Sequence, residues 1–468
     1  MSPMDRRDFV RTGAAAALGA SLARGPGAAR AAPDGSVARP GTAAAAGPRS
    51  FTSPFPGRLR LGFIGVGGRG SWLLGLALAR DDTPVTAVCD IVPEAAARAV
   101  RAVTDAGGAA PASFTAGDED WRNLLERDDV DAVIVATPWQ WHAPMAVAAM
   151  EKGKAVGLEV PAALTVEECW DLVRTHERTG TPLMMLENVC WRRDVLAVLG
   201  MVREGLFGDL VHCQGGYQHD LRAIKFQPGA EFGPGATGEA VWRTRHSIER
   251  NGDLYPTHGI GPVANWLGIQ RGNRFLRLSS AATKSHGLHE YVVAAGGPEH
   301  PNADIGFRLG DVVTTLITTA NDETILLSHD TNLPRPYSLN FRVQGTRGLW
   351  MDDFDALYIE GASPEPHRWE PAAPWLERHD HGLWRRYAAD AEGAGHGGMD
   401  FFVLHAFVEA VKRGDPTPLD VYDAAAWSVI SPLSELSIAR GGDAVAFPDF
   451  TAGRWRTRAA VFGLGDEF

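Results

Sequence analysis

Between an apolar run at Leu59 to Val66 and a helix-patterned segment at Ser71 to Arg80, the chain turns through Gly65-Val66-Gly67-Gly68-Arg69-Gly70. A strand that ends in glycines and passes at once into a helix gathers backbone N–H groups and the positive end of a helix dipole at one point. The same strand-then-helix pattern repeats downstream. Val85 to Cys89, Val130 to Ala136, Ala155 to Val160 and Pro182 to Leu186 read as strands, separated by helical segments at Glu94 to Ala106, at Pro144 to Lys152 and from Thr165 onward. Thr165 with Glu168 three residues later is a capping box. Alternation of this kind builds a parallel, doubly wound α/β sheet.

The glycine turn fits G-x-G-x-x-G, and its context is that of a dinucleotide site. Gly65, Gly67, Gly68 and Gly70 let the backbone approach a pyrophosphate and the helix N-terminus favours the anion, while Arg69 is a cation able to pair with a phosphate. Asp90 closes the next strand about twenty residues further on, where a carboxylate accepts from an adenine ribose hydroxyl and repels a 2′-phosphate. These residues predict NAD rather than NADP as cofactor.

After residue 187 the pattern changes. A helix at Val195 to Glu204 leads to Asp209 to Tyr217, which alternates like a half-buried strand. Further short strands follow at Phe275 to Ser280, Asp311 to Ala320, Thr324 to Asp330, Ser338 to Gln344 and Gly348 to Asp352. Successive short strands with few helices predict a mainly antiparallel sheet. A helix at Met399 to Lys412 ends at Gly414, and a last helix at Val421 to Arg440 is expected to kink at Pro432.

Composition excludes several classes for the 468-residue chain. With 45 Lys and Arg against 57 Asp and Glu, the formal charge is −12, the wrong balance for a nucleic-acid partner. No apolar run is long enough for a membrane span. Four Cys without a CxxC pair fit neither a disulfide scaffold nor a zinc knot, and His212, His219, His246 and His258 lack metal-ligand spacing, so no metal is expected. Asp5-Arg6-Arg7-Asp8-Phe9-Val10, a weakly apolar run to Leu22 and Ala29-Arg30-Ala31 read as a twin-arginine signal with a cleavage site. The expected organisation is a signal at 1–31, a flexible linker at 32–56, an NAD-binding domain at 57–187 and a substrate domain at 188–468. The expected partners are the twin-arginine translocation machinery and a glycan or small-molecule substrate, with export to the periplasm or beyond. The exposed face of the second sheet is expected to support a homo-oligomer.

Thr137-Pro138-Trp139-Gln140-Trp141-His142 and Glu159-Val160-Pro161, each following a strand, resemble with the glycine loop the Gfo/Idh/MocA oxidoreductases, whose first domain is a Rossmann fold. The substrate half resembles glycoside hydrolase family 109. That likeness rests on Gly216 to Arg222, Trp242-Arg243, Asn251 to Pro262, Glu187-Asn188 and His396-Gly397-Gly398-Met399-Asp400. Members of that family are NAD-dependent α-N-acetylgalactosaminidases. The resemblance implies cofactor contacts from Gly68, Arg69, Asp90, Trp139, Gln140, Trp141, His142, Glu159, Val160 and Asn188. It implies substrate contacts from Tyr217, Arg243, Tyr255, Pro256, Thr257, His258 and Tyr337. Where the dehydrogenases usually carry Glu-Lys-Pro with a proton-transferring Lys, this chain has Val160, which carries no proton.

The chemistry implied is oxidation of the sugar C3 hydroxyl by NAD⁺, loss of the acidified C2 proton, and elimination of the aglycone. Water then adds at C1 and the hydride returns, giving hydrolysis with retention and no net redox change. His258 and Tyr255 lie three residues apart, so one helical turn would place them on one face for the C3-OH and C2 protons. A nearby cation would acidify the Tyr255 phenol, and Glu159 is expected to assist. A net NAD-dependent sugar oxidoreductase and a non-catalytic sugar-binding protein that keeps NAD remain alternatives at this level.

Overall fold

The computed structural model describes residues 51–468; the expected signal and most of the expected linker lie outside them. Strands β1 (Leu61–Ile64), β2 (Val85–Cys89), β3 (Ala112–Phe114), β4 (Ala132–Val135), β5 (Ala155–Leu158) and β6 (Leu183–Met185) form one parallel sheet in the order β3-β2-β1-β4-β5-β6. Every residue of β1, β4 and β5 is buried, as expected for strands covered on both faces. The order reverses between β1 and β4, and a crevice opens at such a reversal beyond the carboxyl ends of the strands. The glycine turn follows β1 there, and the Trp139 segment follows β4.

The second sheet has nine strands in the order β14-β13-β12-β11-β7-β10-β9-β8-β15. They are β7 (Leu210–Gln218), β8 (Phe275–Ala282), β9 (Val312–Thr319), β10 (Thr324–Asp330), β11 (Arg342–Gly345), β12 (Gly348–Met351), β13 (Ala356–Ile359), β14 (Glu370–Pro371) and β15 (Val445–Ala446). Among these described strands β7 and β10 pair in parallel and the other neighbours pair antiparallel, so the mainly antiparallel sheet is borne out.

Local signals hold where one turn of chain decides the outcome. The Thr165 hydroxyl accepts from Glu168 N–H and the Glu168 carboxylate accepts from Thr165 N–H, completing the capping box. Other expectations need correction. The expected strand from Ser338 starts only at Arg342, because Asn340 takes a left-handed φ of 51° that a strand cannot carry. The last helix is two, Val421–Ser428 and Ile430–Ala439. Pro432 has no N–H for the Ser428 carbonyl, so the break falls one turn before the proline rather than at it. Tyr255 and His258 do not share a helix: the helix runs from Thr257 to Trp266, with Pro256 as its N-cap and Tyr255 ahead of it.

That helix reaches the second sheet through glycines. A Cβ on Gly215 would come within 2.2 Å of the Gly259 carbonyl oxygen, and one on Gly259 within 2.5 Å of Gly216 N. Helix and β7 therefore touch backbone to backbone, which brings His258 directly over the strand that carries Tyr217. A buried ionic cluster ties the connection between the Gly68–Leu78 helix and β2 to the Met399–Arg413 helix. Arg80 donates to Asp82 at 2.9 Å and to Glu409 at 2.7 Å, and Lys412 donates to Asp82 at 2.7 Å. Replacing Glu409 by Ala leaves buried Arg80 with one fewer counter-charge. We expect Glu409→Ala to cost about 3–5 kcal/mol, read as a lower midpoint of urea unfolding.

Candidate active site

The turn after β1 is shaped by contacts that only glycine permits. Gly65 has φ 84°, and a Cβ on Gly70 would sit 1.9 Å from the Gly65 carbonyl oxygen. A Cβ on Gly67 or Gly68 would meet nothing within 4 Å. Open space thus lies in front of the Gly68–Leu78 helix, whose N-cap Gly67 offers no side-chain hydrogen bond. This cradle, with unfilled room at a helix N-terminus, fits a pyrophosphate. Asp90 at the end of β2 accepts from Val66 N–H at 2.8 Å and from Val92 N–H at 2.9 Å. Its carboxylate is thereby held against the glycine turn, where it fits a ribose.

Arg69 is placed differently from expectation. Its guanidinium donates to Glu159 at 2.6 Å and to Asp400 at 2.8 Å, so it is already committed to two carboxylates rather than standing free for a phosphate. Asp400 is fully buried in the first turn of the Met399–Arg413 helix. It also accepts from Asn188 Nδ2 at 2.9 Å and lies 2.7 Å from His396 Nδ1. Burial alone would raise its carboxyl, yet Arg69 and His396 together hold it far below the usual carboxylate range.

His258 Nδ1 lies 2.8 Å from Glu187 Oε1 and 2.7 Å from Oε2. Glu187 has no exposed surface and also accepts from Val189 N–H at 2.7 Å. A carboxylate only accepts, so Nδ1 is the donor and Nε2 carries the lone pair of the neutral ring. Around His258 stand Tyr255, with ring centroids 4.9 Å apart, and Tyr217 at 5.3 Å. Trp139 stacks on Tyr255 at 5.4 Å, and the Arg243 guanidinium lies 4.7 Å from the Trp139 ring centre and 5.3 Å from that of Tyr255. Tyr337 reaches Tyr217 at 6.2 Å and His219 at 5.0 Å, forming the outer end of the cluster.

The expectation of an acidified Tyr255 is overturned. Burial raises the phenols of both Tyr255 and Tyr217 more than Arg243 lowers them, so both are held protonated. His142 is corrected too: it is buried with Nδ1 2.7 Å from the Pro161 carbonyl and Nε2 2.8 Å from that of Thr137. Its ring pins the turn after β4 to the segment after β5 and is not offered to a cofactor. Thr257 is completely buried, so its side chain offers no surface to a sugar, whereas Pro256 acts as the helix cap. Val160 is buried in the core, Trp141 is partly buried against it, and Gln140 is exposed.

Several participants had no role assigned from sequence. Glu187, Asp400 and His396 lay in matched segments without one. Glu187 was findable as an acid at the carboxyl end of a parallel strand, where ligand crevices form. Lys225 had no such signal: it is buried beside Arg243, donates to Thr331 Oγ1 at 2.8 Å and Asn332 Oδ1 at 2.5 Å, and burial with the Arg243 charge pushes it down to about 7.

The fold and site define a class, an NAD-binding Rossmann domain joined to a mainly antiparallel sheet. Residues 59–187 match the oxidoreductase family with an NAD-binding Rossmann fold, and residues 191–457 match the glycosyl hydrolase 109 C-terminal domain. The fold is shared with a levoglucosan dehydrogenase solved with NADH and levoglucosan, at a TM-score of 0.63 and 23% identity over 84% of this chain and 100% of that one. It is also shared with a putative myo-inositol dehydrogenase from Sinorhizobium meliloti 1021, at 0.57 and 16% over 83% and 100%. A glycosyl hydrolase family 109 protein of Stenotrophomonas maltophilia (strain K279a) is 51% identical over 100% of both chains. An alpha-N-acetylgalactosaminidase of Tannerella forsythia is 50% identical over 98% of this chain and 99% of its own. The chain belongs to glycosyl hydrolase family 109 and is an NAD-dependent glycoside hydrolase.

The turn that delivers Tyr255 and His258 rests on Asp253. Its N–H donates to Ser434 Oγ at 2.9 Å, its carbonyl accepts from Ser431 Oγ at 2.6 Å, and its carboxyl accepts from Tyr255 N–H at 3.3 Å. Burial pushes that carboxyl from 3.8 up to about 7. The folded state therefore holds the proton across this window, and its stability falls as pH rises through it. Asp253→Asn, which keeps an acceptor without the charge, should gain stability relative to the parent between pH 5 and pH 8. The gain should be on the order of a few kcal/mol, read as a thermal midpoint difference that moves in the variant's favour.

Proposed function

We propose that this enzyme removes terminal α-linked N-acetylgalactosamine with retention and without net redox change, and that it does so after export. The observation that carries the reading is the buried Glu187 carboxylate on His258 Nδ1, which leaves Nε2 as the free ring nitrogen of an imidazole flanked by Tyr217 and Tyr255. The name of the Tannerella forsythia relative supports the choice of sugar. The paired arginines and the Ala29-Arg30-Ala31 pattern support export.

The glycine turn and Asp90 would hold NAD, which when bound supplies a hydride acceptor at the sugar C3 and the donor that returns it. His258 Nε2 accepts a proton from the sugar, and Glu187 stabilises the imidazolium so formed. Tyr255, held protonated by burial, donates a hydrogen bond or a proton to the same region. Tyr217 Oη lies 3.0 Å from His219 Nδ1, so the protonated phenol is held in place beside the His258 ring. Arg69 fixes Glu159 through Oε1, while Arg243 and Trp139 form a wall against which a sugar is oriented. Val160 supplies no proton carrier, which supports the hydrolase cycle over a net dehydrogenase.

An aryl α-N-acetylgalactosaminide incubated without added cofactor should release its phenol, and product formed in D₂O should carry deuterium at C2. Stoichiometric NADH with oxidised sugar would overturn the reading in favour of an oxidoreductase. His258→Ala should lose about 10²–10⁴-fold in kcat. Glu187→Gln, acting through His258, should lose about 10²-fold with KM nearly unchanged and an altered pH profile. Full turnover by His258→Ala would remove it from the chemistry.

A further inference from the structure

The carboxylates of Glu159, Glu187 and Glu239 each act on the phenol of Tyr217 or Tyr255, so all of them adjoin the aromatic cluster. Two of them are spent. Glu187 is closed off from solvent and holds His258 Nδ1 and Val189 N–H. Glu159 keeps only 9% of its side chain exposed and accepts from Arg69 and from Val160 N–H at 3.2 Å. Glu239 differs, with 44% of its side chain exposed. Its Oε2 accepts from Arg243 Nε–H, and its Oε1 takes no hydrogen bond among the described residues. The proton transfers assigned to His258 and Tyr255 do not use it.

The local chain explains the placement. Gly238, with φ 58°, opens a single 3₁₀ turn, Gly238–Val241, and Trp242 N–H donates to the Glu239 carbonyl at 3.1 Å. The helix Arg243–Glu249 starts immediately afterwards. Arg243 therefore stands four positions on from Glu239, where the two side chains pair. That pair is set on the aromatic wall: the guanidinium lies 4.7 Å from the Trp139 ring centre and 5.3 Å from those of Tyr255 and Trp242. Among the described residues only Nε of Arg243 is spent on a hydrogen bond, so its Nη donors remain to give. A carboxylate accepts and cannot donate, and Glu239 thus offers a place for the hydrogens that sugar hydroxyls must give up. Donor and acceptor side by side match a hydroxyl, which does both.

We propose that Glu239 accepts a hydrogen bond from a hydroxyl on the C4–C6 edge of the sugar, with Arg243 donating beside it, and so helps decide which sugar is cleaved. This rests on the glycosidase reading above, in which C1, C2 and C3 are taken up by the chemistry at His258 and the hydride acceptor. The hydroxyls at C4 and C6 are left to carry recognition. Inverting C4 moves a hydroxyl on that edge, so a charged acceptor there separates epimers. Hydrogen bonds to a carboxylate are stronger than neutral ones, and a site built to bond a hydroxyl rejects an analogue that lacks it, because its own polar group is left unpaired.

The test uses an aryl α-N-acetylgalactosaminide with its 4-deoxy and 6-deoxy analogues. On the parent enzyme one analogue should lose about tenfold to a hundredfold in kcat/KM. Glu239→Ala should lose a similar factor on the full substrate, mainly through KM, and lose nothing further when that hydroxyl is removed. Glu239→Gln, which keeps a neutral acceptor for both the hydroxyl and Arg243, should fall between the two. Calorimetric binding of free N-acetylgalactosamine and of the same deoxy sugar to His258→Ala protein, with and without Glu239→Ala, should show the same non-additivity. A deoxy penalty as large in Glu239→Ala as in the parent would overturn the proposal, because Glu239 would then act only through Arg243. A parent enzyme indifferent to both analogues would overturn it as well. If the parent releases no phenol from the aryl substrate, the glycosidase reading fails instead, and the calorimetry still decides whether Glu239 grips the sugar.

Discussion

The buried Asp400 carboxylate is the point through which the two halves of the site are joined. It sits at the start of the Met399–Arg413 helix and takes hydrogen bonds from Arg69 of the glycine turn and from Asn188 beyond β6, with His396 on the preceding loop. Such a charge is tolerable inside a protein only when every lone pair is answered. Here each answer comes from a different part of the chain, so cofactor turn, strand edge and C-terminal helix are mutually located by one group. Asn188 and Glu187 are neighbours, and Glu187 orients His258. The cofactor turn and the proposed base are thereby coupled through two adjacent residues.

Electrostatics in the recess run against a simple reading of nearby charge. The Arg243 guanidinium acts on both Tyr255 and Tyr217, which suggests acidified phenols. Burial opposes ionisation more strongly, keeping Tyr217 and Tyr255 protonated and pushing His219 down to about 4 and His329 to about 3. The recess therefore presents the neutral imidazoles of His219 and His329 and protonated tyrosines next to the Arg243 guanidinium. Such groups exchange protons only when a substrate supplies the acid or the base.

Much of the fold was legible because it depends on local pattern. Continuous apolar runs marked the parallel strands, the Thr165 and Glu168 pair marked a helix start, and glycines marked the cofactor turn. Errors arose where two signals compete over a short span. Pro432 was visible, but the break it causes one turn upstream depends on which carbonyl loses its partner. Asn340 ended an apparent strand through a backbone angle that composition does not show. Strands β14 and β15, two residues each, are too short to carry a pattern of their own and exist because neighbours pair with them.

At the site, residue types were readable and assignments were not. Tyr217, Arg243, Tyr255, His258 and Tyr337 do come together, although Tyr255 and His258 meet across a helix entry rather than along one face. By itself the sequence determined the parallel sheet, the glycine cradle and the acid that faces it, because these follow from chain periodicity and from contacts within a few residues. Only the tertiary structure decided that Arg69 belongs to Asp400 and Glu159, that His142 is a backbone pin, and that Glu187 sets the tautomer of His258. Those pairings join residues up to hundreds of positions apart, and each is selected by burial, where a charge or a ring nitrogen must find whichever partner the fold brings within hydrogen-bond distance.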